Sequence, residues 1–279
     1  LPYQDMRVVS LTGRPWKAFD AALIRGEKML GVLTDKVKTP AAIAARMHAY
    51  GYDNYRLYVG EALGNASDER VRELTVEEAV GTTFVAPNCM ILLRTELRRR
   101  PLGLNEAEFN LLNGRVNMIT KRPVRLQTLS MLDLQMRTVL WDIGSCTGSV
   151  SIEAKSQYPD LDIVAFERRP EGEELLRQNS IKWGTPGIRF VGGDFLELPL
   201  ADLPRPDAVF IGGHGGWLVE LLKRIDEVLL PGGVIVFNSV SEDSLQQFYE
   251  GVTQVGRRVT ERIRLAVDAH NPIEILKAE

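Results

Sequence analysis

Along the first hundred residues, short apolar runs with period two alternate with stretches whose apolar positions recur at helical spacing, the pattern of strands joined by helices. Strands are predicted at 8–11, 29–33, 55–59 and 88–93, and a helix at 16–25. Thr39-Pro40 supplies an N-cap and a first-turn proline for a helix over 41–50 that stops at Gly51. This βα alternation predicts a largely parallel sheet.

From Thr138 the alternation is sharper. Strands are predicted at 138–143, 162–166, 188–191, 208–211 and 234–238, with helices at 149–157, 171–183, 217–229 and 241–255, then two closing strands at 258–266 and 273–277. Such βα steps ending in a hairpin predict an α/β doubly wound sheet with an antiparallel edge. Between the halves, residues 94–100 hold four arginines ahead of Pro101-Leu102-Gly103, which places a domain boundary near 97, giving domains 1–96 and 97–279.

Composition narrows the class. A chain of 279 residues with 44% hydrophobic and 25% charged residues is ordinary globular protein with room for two domains. Its net charge of −3 gives no general attraction to a phosphate backbone, so nucleic acid is not the expected partner. Two cysteines, Cys89 and Cys146, make no disulfide framework or CxxC zinc site and suit a reducing cytoplasm. No apolar run approaches the ~20 residues of a membrane span. His48 and His270 have no neighbours in sequence that suggest a metal site, and none is expected. The chain opens on Leu1 rather than Met, which leads us to expect a longer parent protein.

Chemistry concentrates where the strand at 138–143 turns into the next helix, in Trp141-Asp142-Ile143-Gly144-Ser145-Cys146-Thr147-Gly148-Ser149. Ligands of open α/β sheets bind at such strand ends, and glycines let the backbone approach them. Nicotinamide, flavin and methyl-donor cofactors all use such a turn. The acids that follow discriminate: Asp142 can accept from N–H groups of the loop, Glu167 ends the second strand where a carboxylate takes ribose hydroxyls, and Asp194 follows the third, placed for an adenine amine with Phe195 over the ring. With no GxGxxG spacing and no GKS or GKT lysine, a phosphate cradle is disfavoured. An acidic loop suits the sulfonium of S-adenosylmethionine.

DIGSCTGSVSIEAK, AFERRPEGEELLRQN, VGGDF, DAVFIGGHGG and LLPGGVIVFNSV together resemble the decarboxylating precorrin methyltransferases of cobalamin biosynthesis, over about residues 103–279. Met118-Ile119-Thr120-Lys121 resembles that family's Met-Thr-Lys motif. The resemblance implies a Rossmann-like class I S-adenosylmethionine-dependent methyltransferase sheet, methylation of carbon 15 of a precorrin-type tetrapyrrole and decarboxylation of its ring-C acetate. Cofactor contacts are then expected from Thr120, Asp142, Gly144, Ser145, Cys146, Thr147, Gly148, Glu167, Asp194 and Phe195, although Thr120 by spacing alone is also a candidate N-cap. Lys121, Arg122 and Arg125 are candidates to clamp substrate carboxylates, or ordinary charges at a helix start. Gly212 and Gly213 are candidates to approach a flat macrocycle. His214 is a candidate general acid or propionate partner, and Asn238 a candidate pocket residue. The resemblance also implies a homo-oligomer, a tetramer of the second domain.

Two positions depart from the family pattern: Cys146 replaces a glycine of Gly-x-Gly-Thr-Gly, and His214 replaces serine in Gly-Gly-Ser-Gly-Gly. The first hundred residues, through LGVLTD, TPAAIA and VGEALG, resemble the C-terminal half of a tetrapyrrole methylase, a smaller α/β domain. Carbon-5 methylation by this chain unaided is therefore not expected, and carbon-5 product would overturn that reading. Rival readings are a methyltransferase acting on another small molecule or RNA, and a non-catalytic assembly module.

Overall fold

The computed structural model describes residues 3–267 and 272–279, so His270 lies outside the described residues. The chain divides into one unit of residues 1–100 with 180–187 and a second of residues 101–179 with 188–279, three to four residues past the boundary expected near 97.

The first unit runs β1 (Arg7–Ser10), α1 (Lys17–Arg25), β2 (Met29–Leu33), α2 (Pro40–Ala49), β3 (Tyr55–Glu61), β4 (Arg70–Thr75), α3 (Val76–Val80) and β5 (Asn88–Arg94). Its sheet has the order β1-β2-β5-β3-β4, and only β1 and β2 pair in parallel. The expected largely parallel sheet is thereby corrected: apolar alternation reports which face is buried but not strand direction, and β5 enters antiparallel between β2 and β3. β4 was not expected because Leu74 alone adds an apolar side chain to the core, while Arg70 and Arg72 on the same face pair with Glu61. Thr75 starts α3 with a reciprocal capping box to Glu78. One sheet face packs Val9, Leu30, Val32, Leu57, Val59 and Leu92 into a core with these helices.

The second unit begins with short 3-10 turns and α4 (Arg122–Leu132). Then come β6 (Val139–Ile143), α5 (Ser149–Gln157), β7 (Asp162–Glu167), α6 (Gly172–Trp183), whose last residues from Ser180 are counted with the first unit, β8 (Ile188–Gly192), β9 (Ala208–Ile211), α7 (Leu218–Val228), β10 (Val234–Ser239), α8 (Glu242–Gln254), β11 (Val259–Leu265) and β12 (Ile273–Ala278). Each element of this unit predicted after Thr138 is present, with ends shifted by a residue or so. The order β11-β12-β10-β9-β6-β7-β8 is parallel from β10 to β8, with β12 and β11 antiparallel at one edge. Alternate residues feed two cores: Trp141, Ile143, Phe166 and Phe237 on one face, Leu140, Ile163, Phe210 and Val236 on the other. Burial on both faces accounts for the nearly continuous apolar runs of these strands. The strand order reverses beside β6, the place where such sheets open a crevice at their C-terminal ends.

Candidate active site

A cavity of about 580 Å³ opens at that point, bounded by the loops after β6, β7, β8, β9 and β10 and by residues 117–121. Its floor is the turn after β6. Gly144 N–H and Ser145 N–H both donate to the Phe166 carbonyl, at 2.9 and 3.0 Å, and Gly148 N–H closes the turn onto Ser145. Gly144 and Gly148 have φ of 75° and 72°, which glycine adopts without strain. The missing Cβ atoms matter for packing against protein: one on Gly144 would lie 2.7 Å from the Gly213 nitrogen, and one on Gly148 would overlap a Leu176 methyl. Cys146 holds φ of 48°, so a side chain occupies a left-handed position that suits glycine. Burial pushes its thiol pKa up.

Asp142 is buried, and its Oδ2 accepts from Ser151 Oγ at 2.6 Å and Ser151 N–H at 3.2 Å. Burial raises its pKa to about 6 against those two hydrogen bonds. Its Oδ1, together with Ser145 Oγ and Thr147 Oγ1, is buried without a hydrogen-bond partner among the described residues. Buried polar atoms are normally satisfied, so three unsatisfied ones on the lining of a single cavity mark where a polar ligand is to be met.

Glu167 is buried at the end of β7, where Oε2 accepts from Cys146 N–H at 3.0 Å, and Oε1 from Arg169 N–H and its guanidinium at 3.0 and 3.2 Å. A carboxylate has about four acceptor sites, so one ribose hydroxyl fits directly and a second would displace the half-exposed Arg169 side chain. Asp194 is exposed and accepts from Leu196 N–H. Phe195 lines the cavity but is 6% exposed, its ring edge-on to Phe166 at 5.0 Å and to Trp141 at 6.0 Å. Phe195 is thus packed among core aromatics and forms part of the cavity wall.

Thr120 and Lys121 line the cavity as well. The helix N-cap is Lys121, with no side-chain capping bond, so Thr120 does not serve as the cap. Lys121 Nζ donates to the Val116 carbonyl at 3.0 Å. Arg122 is exposed and outside the lining. Arg125, expected to clamp substrate, is fully buried and paired with Glu153, so it is unable to reach a ligand carboxylate. Gly212, Gly213 and His214 are also on the lining. His214 packs edge-on to Phe237, and its Nδ1 accepts from Gly216 N–H at 3.2 Å, which puts the proton of the neutral ring on Nε2. Burial lowers its pKa, partly opposed by Asp243. Asn238 accepts from Thr128 Oγ1 with Oδ1 at 3.1 Å, leaving its amide nitrogen as a donor for the cavity.

Sequence reading missed Arg168, Arg169 and Trp217, all on the lining. The two arginines directly follow Glu167 at a strand end, a position where ligand contacts concentrate, and that placement was the available signal. Among the described residues no cluster of side chains suits a metal ion, and no helix is long and apolar enough to cross a membrane.

Residues 114–278, which include every lining residue of this cavity, match the family model described as the precorrin methyltransferase domain. The chain belongs to the precorrin methyltransferase family. Within that family it is 33% identical over 240 residues to a Sinorhizobium precorrin-6Y C(5,15)-methyltransferase (decarboxylating), a match covering 86% of this chain and 57% of that protein. The chain thus spans somewhat over half the length of that relative. It is also 33% identical over 162 residues to the Salmonella typhimurium cobalt-precorrin-6B C(15)-methyltransferase (decarboxylating), covering 58% of this chain and 83% of that protein. Among solved structures, the precorrin-6Y C5,15-methyltransferase from Geobacter metallireducens superposes with a TM-score of 0.60 at 38% identity, over 65% of this chain and 99% of that one. The Rossmann-like methyltransferase fold expected from the motifs is the one shared with that precorrin methyltransferase.

Proposed function

We propose that the second unit binds S-adenosylmethionine at the C-terminal ends of β6, β7 and β8, methylates a precorrin at carbon 15 and promotes loss of its ring-C acetate carboxylate as carbon dioxide. The observation that carries this reading is the trio of unsatisfied buried atoms on Asp142, Ser145 and Thr147, set beside Glu167 in one cavity of the family's matched region. These donors and acceptors fit an adenosyl ligand bearing an amino acid and a sulfonium: hydroxyls and carboxylates are offered, and the turn has no lysine suited to a pyrophosphate. Glu167 would take a ribose hydroxyl, and Thr120 would close the cavity from the other side. When bound, the cofactor supplies an electrophilic methyl group for in-line transfer.

The rest of the cavity suits a flat, anionic macrocycle. Trp217 and Val240 present apolar surface at the rim, 57% and 71% exposed, with Arg168 and Lys121 as cations along the lining. Glycines 212 and 213 let backbone approach a planar ligand. His214 holds its proton on Nε2 and is neutral around pH 7, so it acts as a hydrogen-bond donor to substrate more than as a charged acid. The family's serine at this position would offer a hydroxyl donor in its place. The protein's main work is to align the attacking carbon with the methyl group and exclude water, while the conjugated imines of the substrate accept the electrons released by decarboxylation.

The deciding experiment incubates the chain with S-adenosylmethionine and precorrin-6B, or its cobalt form, and follows both methyl incorporation and carbon dioxide release. Both are expected; absence of both overturns the reading. His214→Ala should lower kcat at least tenfold, about 1.4 kcal/mol, and His214→Ser should recover most of it. Wild-type rates in His214→Ala would remove the histidine from the mechanism.

A further inference from the structure

Residues 103–121 contribute Asn117 to Lys121 to the cavity wall, yet the stretch contains three short 3-10 turns and no longer regular element. Something other than a helix or strand ladder must hold it in place. Arg125, whose side chain is fully buried, does so with its guanidinium. Nη1 donates to the Thr120 carbonyl at 2.8 Å, Nη2 donates to the Leu104 carbonyl, and Nε donates to Glu153 Oε2 at 3.1 Å. Glu153, on α5, is itself fully buried and accepts from Gly103 N–H at 2.9 Å and Leu104 N–H at 2.8 Å. One guanidinium therefore binds both ends of the segment from Leu104 to Thr120, and its carboxylate partner grips the first end again from the helix that follows the cofactor turn. Phe109 covers the guanidinium with its ring centroid 5.5 Å away. Leu104, Phe109, Leu112 and Ile119 bury apolar side chains along the same stretch.

We propose that the Arg125–Glu153 pair is a positioning clasp that holds Thr120 and its neighbours against the cofactor site. The proposal rests on the cofactor assignment above. Arg125 touches no ligand; it sets the place of residues that do. A buried pair of this kind adds little net stability over apolar side chains of similar volume, whereas removal of one partner leaves a buried charge exposed to the full desolvation penalty. Loss of stability and loss of positioning are for that reason separable by mutation.

The test uses the full chain with Arg125→Met, Glu153→Gln and the apolar double variant Arg125→Met with Glu153→Leu. Titration calorimetry with S-adenosylhomocysteine, thermal melting, and hydrogen exchange at the Gly103 and Leu104 amides are read for each. For the double variant, melting within a few degrees of wild type is expected together with a Kd at least tenfold higher and faster exchange at the two amides. In turnover, KM for S-adenosylmethionine should rise at least tenfold with kcat changed less than threefold. Recovery of wild-type affinity along with the melting temperature would overturn the proposal, leaving the pair a purely structural contact. Unchanged amide exchange in the double variant overturns it as well, and is readable even if the wild-type chain fails to bind S-adenosylhomocysteine, the outcome that would instead sink the cofactor assignment.

Discussion

Each unit buries a carboxylate at the end of a central strand, and the two carboxylates meet opposite treatment. Glu61 closes β3 in the first unit, where it accepts from Arg70 Nε at 3.0 Å, Arg72 Nε at 2.7 Å and Val85 N–H. Burial would raise its pKa, but Arg70, Val85 N–H and Arg72 together hold it below the usual carboxylate range. Asp142 closes β6 in the second unit with no cation against it, one oxygen unsatisfied, and a pKa raised by burial to about 6. Glu61 is a finished structural joint. Asp142 is held in a state that folding alone does not favour, and such strain gathers where a ligand completes the set of interactions.

That contrast is open to attack. The largest effect should come from Glu61→Gln, which leaves two partly exposed arginines facing a neutral amide and should destabilise the first unit by about 3 kcal/mol in denaturant unfolding through the lost charge-assisted hydrogen bonds. Its affinity for S-adenosylhomocysteine should stay within twofold of wild type; a loss of affinity would mean that Glu61 is no mere joint. Asp142→Asn should act in the opposite direction. Because the folded pKa of about 6 lies above the ordinary 3.8, the folded chain holds the proton more tightly, and wild-type unfolding free energy falls as pH rises from about 4 to about 6. The fall is up to about 3 kcal/mol and is complete above pH 6, so the asparagine variant should be the more stable protein at neutral pH while binding cofactor at least tenfold more weakly. Identical pH slopes in the two proteins would refute the assignment. The smallest effect is expected at Cys146→Gly, which relieves a left-handed side-chain position and should add about 1 kcal/mol to stability, read as a shift in the denaturation midpoint.

The second sheet was legible in the sequence because both its faces are buried, which writes strands as apolar runs and spaces them by amphipathic helices. Glycines and acids at three successive strand ends pointed to part of the cavity lining, the part proposed for the cofactor. The first sheet was less legible: the direction of β5 leaves no mark in an apolar pattern, and the Arg70 and Arg72 that share a face with Leu74 on β4 break up its core signature. Arg125 misled for a related reason. A basic residue near a ligand motif looks available until the fold supplies a buried partner, and Glu153 reads in sequence as one more helix-face acid. Arg168 was overlooked for the converse reason, since an arginine beside another arginine draws no notice until the strand end is placed.

The near contact between Gly144 and Gly213 has a consequence for how this site can change over evolutionary time. Backbone atoms of the turn after β6 and the turn after β9 approach so closely that a methyl group on Gly144 would stand 2.7 Å from the Gly213 nitrogen. The first turn belongs to the proposed cofactor and the second to the proposed substrate. Neither can be reshaped at that point without the other moving, so a lineage adopting a different macrocycle would have to vary the positions flanking the glycines. His214, directly after Gly213, and Cys146, two residues after Gly144, are two nearby positions.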